Sequence, residues 1–405
     1  MRLAPTRFEP ALIVILAGVC AALHVGKLPP AITPLREALG LTLVQAGFLL
    51  SLVQGAGMTL GLAFGVVADG LGARRSMLLG LSVLALASVL GGAATSVPVL
   101  LVLRAVEGFG FLLVALPAPG WVRQLVPPQR VNAMLGLWSA YMPLATALAL
   151  LVGPLCITAL GWRAWWWALG ALSAVMAIVL ARAVPAASAA ARPAVAPWAA
   201  RLRMTLAAPG PWLVALTFAA YSGQWLAVIG FLPTIYAQAG MVDATAGALT
   251  ALAAAVNVIG NLGAGRLLQR GARPPVLLGI GFTTMAVAAA ATFAGGAGEG
   301  LSAAARYAAV LLFSGVGGLI PATLFALAVR LAPGEGLVST TVGWMQQWSS
   351  LGQFAGPPLV AWLASSVGGW QWTWVATASA SAAGLLLSAA LARRLTLADR
   401  TMQRQ

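Results

Sequence analysis

Gly72-Ala-Arg-Arg-Ser-Met-Leu-Leu-Gly80 recurs downstream as Gly271-Ala-Arg-Pro-Pro-Val-Leu-Leu-Gly279, with six of nine positions identical. Each copy follows one long apolar run and opens the next. Outward from this pair, Gly153-Pro154 is matched by Gly356-Pro357, and Gly161-Trp162-Arg163 by Gly369-Trp370-Gln371. The offset is about 200 residues each time, in the same direction. The chain is therefore a tandem duplication. About 20 apolar residues cross a bilayer as a helix. That window places spans at 10–32, 43–68, 76–95, 98–122, 131–158 and 162–184. A second set lies at 211–238, 244–268, 275–295, 303–330, 338–365 and 370–392.

Composition points the same way. Of 405 residues, 61% are hydrophobic and 8% charged, against about 25% charged in soluble domains. The solvent for most side chains must be lipid. The expected fold class is an all-α membrane protein of twelve transmembrane helices in two pseudo-symmetric six-helix bundles. Residues 1–184 form the first bundle and 210–405 the second. The stretch 185–209, rich in Pro and Ala, is expected to be a cytoplasmic linker, with 198–204 along the membrane surface. Parallel six-span halves are an architecture for alternating access about a central site.

The net charge of +15 would suggest nucleic acid in a soluble protein. Here 18 of the 23 basic residues fall on the side of the termini, and only Arg36, Arg163 and Arg306 on the other. That skew is topogenic. It predicts a bacterial inner-membrane protein with both termini in the cytoplasm and no nucleic-acid partner. The clusters Trp162, Trp165 to Trp167 and Trp370, Trp372, Trp374 are expected at the outer interface. Cys20 and Cys156 lie in apolar runs and read as small buried hydrophobes, not a disulfide. Leu16 to Cys20 resembles a lipoprotein box, but the apolar run continues past it, so an uncleaved first helix is expected.

The loop after the second span reads Gly65-Val-Val-Ala-Asp69-Gly70-Leu-Gly72-Ala73-Arg74-Arg75, and span four carries Arg104-Ala-Val-Glu107-Gly108. With the linker and the repeat, these resemble the major facilitator superfamily over essentially the whole chain. Gly70 and Ala73 replace two of that family's usual basic residues. The first span and Leu137-Trp-Ser-Ala140 are similar in style to its cyanate-transporter-like branch. Of the family's span-five antiporter pattern only Gly153-Pro154 remains, with Ala145 and Ala149 in place of glycines. The resemblance implies a gating role for Asp69, Arg74 and Arg75. Asp69 is expected to pair with Arg74, Arg75 or an Arg of a neighbouring span; the plainer alternative is topogenic charge.

Four ionisable residues fall inside spans: His24 and Lys27 in the first, Arg104 and Glu107 in the fourth. Each pair is three residues apart and so on one helical face. Burying such groups is costly, so they should face the bundle interior or a watery cavity. In the superfamily fold spans one and four line the central cavity, so all four are candidates to converge there. Lys27 and Arg104, with His24, would attract an anion. Glu107, the only carboxylate within a span, and His24 are the candidates for proton coupling. The alternatives are an Arg104–Glu107 ion pair that only makes the span insertable, a Lys27 that snorkels, and a satisfied core histidine.

Tyr141, Tyr221, Gln224, Trp344 and Gln347 are further substrate-binding candidates, together with Trp138, Trp225, Asn257, Asn261 and Trp348. Asn257 and Asn261 equally suit interhelical glue. Pro117, Pro119, Pro321, Pro357 and Pro358 mark expected kinks. No phosphate-binding Gly-x-x-x-x-Gly-Lys loop occurs, and one histidine with two separated cysteines gives no metal cluster. No enzyme and no cofactor are expected. The expected function is secondary transport of a small anionic solute, with proton coupling, by a monomer in the lipid bilayer. The alternative is an efflux antiporter for amphipathic or aromatic compounds; a sensor or assembly factor on the same scaffold is a third class.

Overall fold

The computed structural model describes residues 9–40, 43–184, 197–241, 243–295 and 301–402, and they are almost wholly helical. The first half contains α1 (Pro10–Gly26), α2 (Ile32–Leu39), α3 (Leu43–Leu71), α4 (Ala73–Gly92), α5 (Val97–Ala115) and α6 (Ala118–Leu125). It closes with α7 (Val131–Ser139) and the long α8 (Tyr141–Ala183). After α9 (Trp198–Ala207) the second half runs α10 (Pro209–Gln238), α11 (Asp243–Ala255), α12 (Asn257–Gln269) and α13 (Pro274–Phe293). It ends with α14 (Ala303–Gly317), α15 (Leu319–Leu331), α16 (Val338–Val367) and α17 (Thr373–Met402).

Among the described residues nine windows are long and apolar enough to cross a bilayer. One, Pro128–Ala183, is 56 residues long and turns where Gly161 takes φ +85°, which makes it spans five and six. α3 and α16, of 29 and 30 residues, complete twelve. The repeat is visible in the backbone: Gly72 and Gly271 both sit at left-handed φ, +82° and +88°. That conformation is open to glycine and strained for other residues, so each half makes the same tight turn out of its second span.

Spans four and ten, equivalent in the repeat, both break. α5 gives way to α6 at Pro117, and α14 to α15 at Gly318, three residues before Pro321. A proline removes one backbone donor and crowds the carbonyl four residues back. Span eight breaks at Val256 with no proline nearby. Pro357 and Pro358, expected to kink span eleven, lie inside an α16 that is continuous from Val338 to Val367.

The halves meet along α3 and α16. A Cβ on Gly61 would stand 2.9 Å from the Gly343 carbonyl oxygen, and one on Gly65 2.7 Å from that of Ser339. On the other flank Gly136 and Gly265 touch backbone to backbone, and Ala133 N–H donates to Gln269 Oε1 at 3.2 Å. These contacts close the Arg-rich side. The stretch 185–196 of the expected linker lies outside the described residues. α9 follows it, with Trp198 65% exposed but Arg201 buried and donating to the Val66 carbonyl at 2.7 Å. It is thus pinned beneath span two.

The tryptophans expected at the outer interface differ in exposure. Trp162, Trp165 and Trp166 are buried in the first bundle, while Trp167 and Trp372 are about half exposed. Trp165 Nε1 donates to the Lys27 carbonyl at 3.1 Å, and the Trp166 ring lies 4.6 Å from Lys27 Nζ. Both rings thus have polar partners inside the first bundle. Cys20 and Cys156 are both free thiols.

Candidate functional site

The span-embedded charges meet one another. Glu107 Oε1 accepts from Lys27 Nζ and Oε2 from Arg104 Nη1 at 2.8 Å, with His24 Nδ1 3.5 Å from Oε1. Lys27 Nζ also donates to Ser88 Oγ at 3.0 Å, and Ser88 passes its own hydrogen to the Trp166 carbonyl at 2.7 Å. His24 Nε2 lies 2.7 Å from Ser173 Oγ, which lies 3.5 Å from Cys20 Sγ. His24, Lys27, Arg104 and Glu107 are each 2% exposed or less.

Arg104 does more than pair. Its guanidinium donates to the carbonyls of His24, of Val25 at 3.3 Å and of Leu49 at 3.2 Å. His24 and Val25 are in the last turn of α1, where helix carbonyls have no partner within the helix. Span four therefore caps span one inside the bilayer and ties it to span two. Ser88 of span three and Ser173 and Trp166 of span six put this cluster in the interior of the first bundle.

A separate cavity lies between the halves. It is lined by Ser139, Tyr141 and Met142 of span five, Phe218, Tyr221, Ser222 and Trp225 of span seven, and Asn257 of span eight. Pro143 of span five, Pro321 and Phe325 of span ten and Gln346, Ser349 and Gln353 of span eleven complete it. Its volume is about 60 Å³, room for a few waters, so a larger solute enters only as the halves part. None of these lining side chains is charged. Its wall is aromatic: Trp138 stacks on Tyr141 at 4.5 Å, and Phe325 meets Trp138 at 6.4 Å and Phe218 at 5.8 Å, edge-on. That row of rings crosses from one half to the other.

The candidates thus divide. Tyr141 and Tyr221 line the cavity. Gln224 points into the second bundle, where its Oε1 accepts from Ser381 Oγ at 3.0 Å. Gln347 Oε1 accepts the Leu62 backbone N–H at 3.0 Å, a tie between halves. Trp344 packs edge-on against Trp212 at 4.6 Å. Gln54 was not singled out from the sequence, yet its Nε2 donates to Gln353 Oε1 at 3.0 Å across the halves. A glutamine inside an apolar span is a costly placement, and that was the available signal for Gln54, Gln346 and Gln353.

Among the described residues Asp69 does not pair with an arginine. Its carboxylate accepts from Ser339 N at 3.2 Å, Thr340 N at 2.8 Å and Thr340 Oγ1. These are the first free donors of α16, and an anion is favoured at a helix N-terminus. The side chain caps a helix of the opposite half. Arg74 donates to the carbonyls of Ala181 at 2.6 Å and Val184 at 3.1 Å, the C-terminal end of span six. Arg75 is exposed.

Residues 14–357 match the family model described as the Major Facilitator Superfamily. The chloramphenicol resistance protein of Streptomyces lividans is 33% identical over 250 residues, 60% of this chain and 62% of that protein. The tetracenomycin C resistance and export protein of Streptomyces glaucescens is 31% identical over 100 residues, 25% of this chain and 19% of that protein. The chain spans less than two thirds of the length of either relative. A structure of the transporter FucP in the outward conformation superposes with a TM-score of 0.74 at 14% identity, over 94% of this chain and 97% of that one. A variant of the E. coli fucose:proton symporter FucP gives 0.74 at 16%, with the same coverage. At this identity the likeness is one of fold.

Proposed function

The chain belongs to the Major Facilitator Superfamily, and from that premise we propose that it moves a small amphipathic or aromatic solute by alternating access, in the direction of export. One observation carries this: the cavity between the halves is walled by rings and neutral hydrogen-bonding groups. The span-embedded cations Lys27 and Arg104 do not line it and are engaged by Glu107 and by backbone carbonyls. The relatives, one named for chloramphenicol resistance and one for tetracenomycin C resistance and export, support the same solute class.

Transport of a small anion is the second reading. It is favoured by two cations against one carboxylate in the first bundle. In either case Glu107 and His24 are the candidates for proton coupling, through the hydrogen-bonded run from Glu107 by way of Lys27 and His24 to Ser173. Asp69 is the gate: its bonds to α16 must break when the Arg-rich side opens, and the arginine skew puts that side in the cytoplasm. Arg74 acts as a cap that stiffens the same loop. The protein works as a monomer in the inner membrane.

Proteoliposomes test these proposals. With an imposed pH gradient, chloramphenicol flux above that of empty vesicles, competed by other aromatic compounds and not by cyanate, is the expected result. Flux of cyanate without that of chloramphenicol would transfer the proposal to the anion.

A further inference from the structure

The side-chain amides beside the cavity have a fixed polarity. Asn257 Nδ2 lies 2.7 Å from the Ser314 carbonyl oxygen. A carbonyl only accepts, so the Asn257 atom facing it must be the nitrogen. The same nitrogen therefore donates to the Tyr221 hydroxyl, 3.0 Å away. Asn261 is fixed likewise: its Nδ2 donates to the Asn257 backbone carbonyl at 2.9 Å and to Asn257 Oδ1 at 2.8 Å. The run Asn261 to Asn257 to Tyr221 thus points one way, toward the cavity.

The Tyr221 oxygen is consequently an acceptor within the protein. Its own hydrogen has no acceptor among the described residues, and the ring lines the cavity between Phe218 and Asn257. A buried phenol with an unplaced hydrogen is poorly satisfied, and an occupant with an acceptor would relieve it. The broken helices set up this geometry. Asn257 opens α12 at the break in span eight, and Ser314 precedes the break in span ten, where Gly318 lies against Asn257. Discontinuous helices at one depth are a recurrent way to place binding groups inside a membrane.

We propose that Tyr221 is a specificity-determining donor, held in that role by Asn257 as a positioning residue, and that it selects ring compounds bearing a hydrogen-bond acceptor such as a quinone or aryl ketone oxygen. This rests on the aromatic cavity of the preceding section and adds the polarity of the recognised group. Solutes of equal size without an acceptor leave that hydrogen unpaired and are disfavoured.

The test is equilibrium dialysis of the purified full-length chain with two probes of the same two-ring shape. 1,4-Naphthoquinone carries acceptors and no donor; naphthalene carries neither. Wild type is expected to prefer the quinone. Tyr221→Phe keeps the ring and removes the hydroxyl, and should weaken quinone binding about 3- to 10-fold while leaving naphthalene unchanged. Asn257→Asp sets an acceptor opposite the phenol and turns its hydrogen away from the cavity. It should erase the same preference, with no further loss in the double variant. If Asn257→Asp does not purify, Tyr221→Phe alone decides. Equal binding of both probes, unmoved by Tyr221→Phe, overturns the donor role and leaves the aromatic cavity standing. Binding of neither probe by wild type removes the aromatic cavity as a site and the donor role with it.

Discussion

Replacing Glu107 by Gln removes the only carboxylate among the described residues that faces Lys27 and Arg104, both 2% exposed or less. Those three groups carry a formal +1; the substitution makes it +2 in a site that water does not reach. Breaking a buried pair by removing one partner costs about 3–5 kcal/mol, because the other charge is left uncompensated. For a unit of six helices, each kcal/mol moves the midpoint by about 2–4 °C, so a drop in Tm on the order of 10 °C is expected. Lys27→Met should cost less, since Arg104 still holds Glu107 at 2.8 Å. The double variant should recover much of the loss, because Arg104 keeps the carbonyls of His24, Val25 and Leu49. The assay is thermal unfolding of the purified protein followed by tryptophan fluorescence, with cyanate and chloramphenicol added in parallel. A Glu107→Gln protein within about 2 °C of wild type would show that the charges are hydrated rather than buried, since a hydrated pair is worth little. Stabilisation of wild type by cyanate, abolished by Lys27→Met, would place an anion at Lys27 and refute the closed cluster.

Other outcomes follow from the contacts between halves. Asp69→Asn weakens three bonds to the start of α16 and should favour opening of the Arg-rich side by about 1–3 kcal/mol; the check is maleimide labelling of a Val66→Cys reporter, which should speed up. Gly343→Val would drive a side chain into the Gly61 carbonyl, 2.5 Å from an ideal Cβ. It should leave a monodisperse protein that no longer transports in proteoliposomes, and wild-type flux would refute the close packing of α3 on α16. Arg201→Ala removes the bond to Val66 that pins α9, so tryptic cleavage at Arg203 should become faster. Unchanged cleavage would mean that α9 is held by its apolar contacts instead.

The apolar runs and their spacing determined twelve spans. The duplicated Gly-Ala-Arg motif determined that the halves are parallel copies, because a tight left-handed turn needs glycine at the same place in each. Spacing also put His24 with Lys27, and Arg104 with Glu107, on shared helix faces. Which way those faces point depends on the rotation of each helix against its neighbours, and a span that is apolar all round carries almost no signal for that. So only tertiary packing decided that the four charges meet in the first bundle and the cavity is neutral. The same holds for Asp69. Its partner is the backbone end of a helix about 270 residues away, and any sequence offers backbone N–H groups, so no residue pattern announces them. The polarity of Tyr221 was the least legible of all. It depends on which amide atom faces the Ser314 carbonyl, and that is fixed where two broken helices cross.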